Sequence, residues 1–296
     1  MNALREAEAQ TQHKLPEEPS VPPRARRRFR VVTVTSNKGG VGKTTLAGNL
    51  AIYARALRER LPVLMLGFDD QTTLDHMFAL GATPPRRDTA AAFSEGSFAG
   101  VAQLGQYGVH YVPSTREIPE LKRRLRTPQQ LQQMLLRTDW PGLVVIDTKS
   151  DFESLTQAAI AASDLVIVVV KDQASLVEAR RVFELLEQQG RPPQTARILL
   201  SLVDLRVKFQ DGEDMDVLAH LLSEIRREGW PLLETFISRS PRIEALYTNP
   251  QGQALSVLHA APQSLVHRQL RQLTETVLGA VRLPAVAHAG SPKRHP

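Results

Sequence analysis

The chain has 296 residues and is 42% hydrophobic, enough to bury a sizeable core in one large domain or two small ones. It contains no cysteine, which excludes a disulfide framework, a thiolate metal site, a cysteine nucleophile and an iron–sulfur cluster. The formal net charge is +6.

Residues 1–30 hold seven Lys/Arg against four Glu, and residues 264–296 hold five against one, so the ends carry +3 and +4 and the middle about −1. Basic ends suit a polyanionic partner, nucleic acid or membrane surface, and equally suit solubilising tails. The first 23 residues are rich in Glu, Gln and Pro and are expected to be disordered. They are polar where a signal peptide would be apolar, and no apolar run approaches the ~18 residues a membrane span needs, so a cytoplasmic protein is expected. "RARRRFR" (24–30) puts five arginines in seven residues at the edge of the expected domain, 30–283.

"RVVTVTS" (30–36) is a β-branched run that predicts a buried strand, and "TLAGNLAIYARAL" (45–57) has its apolar residues at helical spacing. Further strands are predicted at "PVLMLG" (62–67), "VHYVP" (109–113), "GLVVID" (142–147), "DLVIVVV" (164–170), "ARILLSLV" (196–203) and "PLLETFI" (231–237). Helices are predicted at 121–136, interrupted near Pro128, and at about 152–162, 174–189, 214–229 and 264–281. Beyond Pro284 the tail is expected to be disordered. Continuous apolar strands alternating with amphipathic helices imply an α/β fold: a mostly parallel, twisted sheet with helices on both faces.

"SNKGGVGKTT" (36–45) falls between the first strand and the first long helix, where backbone N–H groups and a helix N-terminus face an anion. Lys43 would reach β- and γ-phosphates, and the Thr44 hydroxyl would ligate Mg2+. Gly39, Gly40 and Gly42 let the backbone approach the phosphates, with Val41 and Thr45 completing the cradle. In the strict loop pattern the first glycine falls at position 37, which here is Asn37.

"KGGVGKTT" resembles the deviant Walker A loop of the ParA/MinD ATPases, and the resemblance runs from about residue 30 to 281. It implies a P-loop NTPase fold, ATP and Mg2+ as cofactors, and weak hydrolysis stimulated by a partner. Lys38 is the family's extra lysine, which implies that it crosses an ATP-dependent homodimer interface to the other subunit's phosphates. A second cation there would offset charge developing in phosphoryl transfer. "PVLMLGFDDQ" (62–71) resembles the family's switch, with Asp69 and Gln71 in matching places, Gly67 where the first aspartate usually stands and Asp70 where a proline does. Asp69 is thereby implicated in positioning the attacking water. "GLVVID" resembles the Walker B strand, ending in Asp147, which would hold Mg2+ through water. "TKS" follows where the family often has prolines, and Lys149 can touch phosphate or a partner or pair with Asp151. Asp204 and Arg206 match an adenine-facing D-x-R, and Arg239, Arg242 and Glu244 match a segment whose basic residues bind DNA without sequence preference in ParA-type relatives. The implied function is a ParA-like ATPase that segregates or positions a plasmid, chromosome or protein cargo over the nucleoid, with a ParB-like or other activating partner. The alternative is a MinD- or FlhG-like ATPase cycling on the membrane. That needs a basic amphipathic C-terminal helix, and "RLPAVAHAGSPKRHP" has three prolines and almost no bulky apolar residue.

Overall fold

The structure, a computed structural model, describes residues 27–69, 73–80, 87–204, 217–246 and 255–283. Residues 1–26 of the N-terminal extension expected over 1–29, the expected tail 284–296, and Asp70, Gln71 and Arg206 lie outside the described residues.

The chain enters through β1 (Arg30–Thr35), turns through the glycine-rich loop into α1 (Lys43–Leu57), and returns as β2 (Val63–Phe68). Two short helices follow, α2 (Thr73–Phe78) and α3 (Thr89–Glu95), then β3 (Gln103–Leu104) and β4 (His110–Val112). The helical stretch predicted at 121–136 is two helices, α4 (Ile118–Arg124) and α5 (Gln129–Thr138). Leu125 takes an extended backbone with ψ 99, and Pro128 caps α5, so the break falls where a proline forbids a continuous helix. β5 (Leu143–Thr148), α6 (Ser154–Ala162), β6 (Leu165–Val170), α7 (Gln173–Gln188) and β7 (Ala196–Val203) are regular β–α alternation. α8 (Val217–Arg227) leads to β8 (Ile237–Ser238), α9 (Pro241–Leu246), α10 (Val257–Ala260) and α11 (Leu265–Ala280).

The strands form one sheet in the order β3-β4-β2-β5-β1-β6-β7-β8. All pairs are parallel except β3 with β4. β1 lies between β5 and β6, with Val34 opposite Asp147 and also opposite Ile167. Both faces are covered, which is why β6 reads as an uninterrupted apolar run and β5 as one up to Ile146. Val32 and Val34 pack under α1, α10 and α11, while Val31, one residue out of phase, packs toward α3 to α6. A third cluster joins β6 and β7 to α7 and α8.

The strand predicted at 231–237 is a correction. Leu232 makes a single bridge to Ile198, and only Ile237 and Ser238 pair as a strand. The partner strand is irregular there: its register shifts between Ser201 and Val203, and Leu202 sits at φ 54, the left-handed region that side chains rarely adopt.

Candidate nucleotide site

β1 delivers its C-terminal end to the carboxyl edge of the sheet, where open α/β folds bind ligands. The chain then reverses into α1 within seven residues, 36–42. That reversal needs left-handed backbone at Gly40 (φ 69) and Gly42 (φ 89), which a side chain would strain. Gly42 is the N-cap of α1; no side chain caps the helix and no acidic residue lies in its first turn. The first amides and the positive end of the helix dipole are thus left for an anion.

Lys43 is the first residue of α1 and is only 6% exposed, so it belongs to the packed base of the loop. Its Nζ donates to Ser150 Oγ at 2.6 Å and to the Lys38 carbonyl at 3.1 Å. Burial pushes its pKa down, and the charges of Asp147, Asp69 and Asp151 push back.

Asp147, on β5, is fully buried, with no well-formed hydrogen bond to either carboxylate oxygen among the described residues and only the Thr44 hydroxyl close enough to favour its charge by hydrogen bonding. Burial raises its pKa to about 7; the Thr44 hydroxyl and the Lys43 ammonium pull it down, and Asp69 pushes it further up. A buried carboxylate so weakly satisfied calls for a cation. Thr44, Asp69, Thr73, Ser114 and Asp147 line a cavity of about 10 Å³, room for one small ion or water. Among the described residues no group of three or more His, Cys, Asp or Glu could hold a metal. The donors here are one or two carboxylates and hydroxyls, which fits Mg2+, a hard ion that completes its shell with water and substrate phosphates.

The Gly67 departure has a steric reason. A Cβ there would come within 2.7 Å of Leu74 Cδ1 and 3.5 Å of Ser114 Oγ. α2 packs its Leu74 into the space an aspartate would need. The carboxylate of Asp75, the next residue on α2, instead accepts from the Ser114 amide at 3.0 Å.

Lys38 takes a different partner from Lys43. Its Nζ contacts Asp172 Oδ2 at 2.6 Å, with the two side chains 40% and 36% exposed. Asp172 is the N-cap of α7 and forms a capping box with Ser175. Asn37 Nδ2 donates to Glu178 on the same helix at 3.2 Å. Asp151 accepts from Lys122 at 2.8 Å and from Thr156 at 3.0 Å.

A second cavity of about 300 Å³ opens beside Gly40 and Gly42, lined by Thr45, Ser201, Leu202 and Ile243 among others. It is a nucleobase-sized, largely apolar slot. Asp204 lies one residue beyond β7 and is not part of that lining. Arg239 pairs with Glu244 at 3.1 Å, and Arg242 donates to the Ala260 carbonyl at 3.4 Å, both on the exposed surface around α9. Ser150, Asp172, Thr73, Ser114 and Leu202 belong to the site and did not emerge from the sequence. Two had signals: Ser150 follows Asp147 by three residues, and Asp172 with Ser175 has the spacing of a helix N-cap.

A phosphate loop between the central strand and its helix, with a buried lysine and a buried carboxylate at the strand ends, defines a P-loop ATPase. The profile described as CobQ/CobB/MinD/ParA nucleotide binding domain matches residues 32–249, and the chain belongs to that family. The chromosome-partitioning ATPase Soj of Thermus thermophilus is 25% identical over 258 residues, 87% of this chain and 98% of its own length. The chromosome partitioning protein ParA of Caulobacter vibrioides is 28% identical over 207 residues, 65% of this chain and 76% of its own. The ATP complex of Cyanothece McdA superposes with a TM-score of 0.66 over 88% of this chain and 99% of that one, at 14% identity, a likeness of fold alone.

Proposed function

We propose that residues 30–283 form a Mg2+-dependent ATPase that dimerises with ATP, binds DNA without sequence preference, and hydrolyses ATP to segregate or position a cargo. Lys43 would hold the β- and γ-phosphates, and Thr44 and Asp147 the Mg2+. Asp69 would position the attacking water, and Arg239 and Arg242 would meet DNA phosphates. Asp204 and Arg206 remain nucleobase or interface candidates, and a ParB-like or other partner would trigger hydrolysis. The observation that carries this reading is the divergence of the two loop lysines. Lys43 turns into its own cradle, while Lys38 is held on the outer rim by Asp172. Exchange of that surface ion pair for a second subunit's phosphates would give Lys38 its role in trans.

Lys38→Ala should therefore bind ATP as a monomer yet fail to dimerise, measured by light scattering with ATP and Mg2+; a variant that dimerises like the wild type removes the trans role. Asp172→Asn keeps a good N-cap and loses the charge, so it should dimerise at lower ATP, by no more than about fivefold for so exposed a pair.

DNA binding should require ATP, because the dimer doubles each basic patch. With four to six phosphates engaged, log affinity should fall against log salt with a slope of about −4 to −5, alike on all sequences. Arg242→Ala should make that slope shallower by about one unit. Deletion of residues 1–29 is the necessary control, since the arginine arm would give the same signal. ATP-loaded protein that ignores plasmid DNA at low salt and sediments with anionic liposomes would replace this reading with membrane cycling.

A further inference from the structure

Ser150 stands where nothing in the loop pattern asks for a hydroxyl. It follows β5 by two residues and is half-buried, and its Oγ accepts from Lys43 Nζ at 2.6 Å. It also lies 4.0 Å from where a Cβ on Gly39 would be, so the hydroxyl sits at the cradle itself.

An ammonium has three N–H donors and no more. Ser150 takes one and the Lys38 carbonyl a second. One donor remains. ADP offers the loop lysine a β-phosphate alone, which that donor can serve. ATP offers β- and γ-phosphates, which need two. For both phosphates to receive a full hydrogen bond, one of the protein partners yields. The Lys38 carbonyl is backbone, fixed by the fold of the loop, whereas the Ser150 hydroxyl is a rotor on a single χ1 bond. We infer that Ser150 is a positioning residue that competes with the terminal phosphate for Lys43 and so sets the balance between ATP and ADP. The inference rests on the reading of this loop as an ATP site.

The same geometry fixes the sign. Removing the hydroxyl frees a donor before nucleotide arrives, so binding of the triphosphate should tighten. Damage to the site would weaken it instead.

The test is calorimetry with Mg2+, using ADP and an ATP analogue whose β–γ bridge cannot be hydrolysed. Ser150→Ala should bind the analogue about five- to tenfold more tightly, the net size of one hydrogen bond no longer competing, with ADP unchanged to within about twofold. Ser150→Cys, close in size but a poor acceptor, should do the same, and Ser150→Thr, which keeps a hydroxyl, should restore the wild-type ratio. Equal tightening of both nucleotides, no change, or weaker binding of the analogue overturns the proposal. The last would mean that Ser150 holds the γ-phosphate rather than competing with it. A wild-type protein that binds neither nucleotide overturns the ATP-site reading as well, and is told apart from the other failures because it appears before any substitution is made.

Discussion

Lys43→Ala should bind ATP at least about 100-fold more weakly than the wild type, because it removes a desolvated cation from a buried, hydrogen-bonded site. The ammonium is the cation in a pocket faced by Asp147, Asp69 and Asp151, and without it those carboxylates repel a triphosphate. The fold should survive. Lys43 is the first residue of α1, alanine is an excellent helix former, and the partners released are a hydroxyl and a carbonyl. Isothermal titration with ATP and Mg2+, beside a far-ultraviolet circular dichroism spectrum, measures both halves. Tight ATP binding by the folded variant removes the phosphate role from Lys43.

Asp147→Asn should abolish hydrolysis and at the same time make the nucleotide-free protein more stable. Asp147 has its pKa raised from 3.8 to about 7 by burial. Between about pH 4 and pH 7 the folded protein therefore holds more protons than the unfolded chain, and stability falls as pH rises through that window. Above pH 7 the full cost of a buried, weakly satisfied carboxylate is present. Asparagine has no charge to bury, although its amide must still be satisfied, so part of the gain is offset. A net gain of about 1–2 kcal/mol at pH 8 corresponds to a melting temperature about 3–6 °C higher. The difference should shrink and vanish as pH is lowered toward 4, and Mg2+ with ATP should stabilise the wild type and not the variant. Differential scanning calorimetry across pH, with and without Mg2+, checks the sign; a variant less stable than the wild type at pH 8 without ligand contradicts it.

The sheet was legible because both its faces are buried. β6 presents six consecutive apolar residues and β5 four, all of them buried, a pattern that few other environments would tolerate. The phosphate loop was legible because its parts are contiguous. What failed was short or nonlocal. α2, α3 and α9 have six or seven residues each, too few for a periodic pattern. "PLLETFI" has the composition of a strand, yet only its Leu232 and Ile237 pair with β7, because five residues there span what three cover on β7 between Ile198 and Ser201. Ser150 and Asp172 reach their lysines across 107 and 134 residues of chain, a distance no local pattern spans. Arg239 reads as basic in sequence, but Glu244 five residues on is its ion-pair partner, so the surface it presents is less positive than the residue count suggests.

The position of β1 at the centre of the sheet has a consequence for synthesis. Its neighbours are β5 and β6, and Val34 must wait for Asp147, 113 residues later in the chain. At ~5–20 residues per second a ribosome needs roughly ten seconds to cover that interval. Throughout it the first strand has no partner, and the phosphate loop has neither its carboxylate nor its hydroxyl. ATP cannot act as an early template for this fold, and a nascent chain released before β5 would carry the complete loop motif with no capacity to bind nucleotide. The exposed run "RVVTVTS" is then a β-branched segment in search of a strand, and the four arginines just before it, with Arg30 at its start, supply the charge that keeps such segments from finding one another.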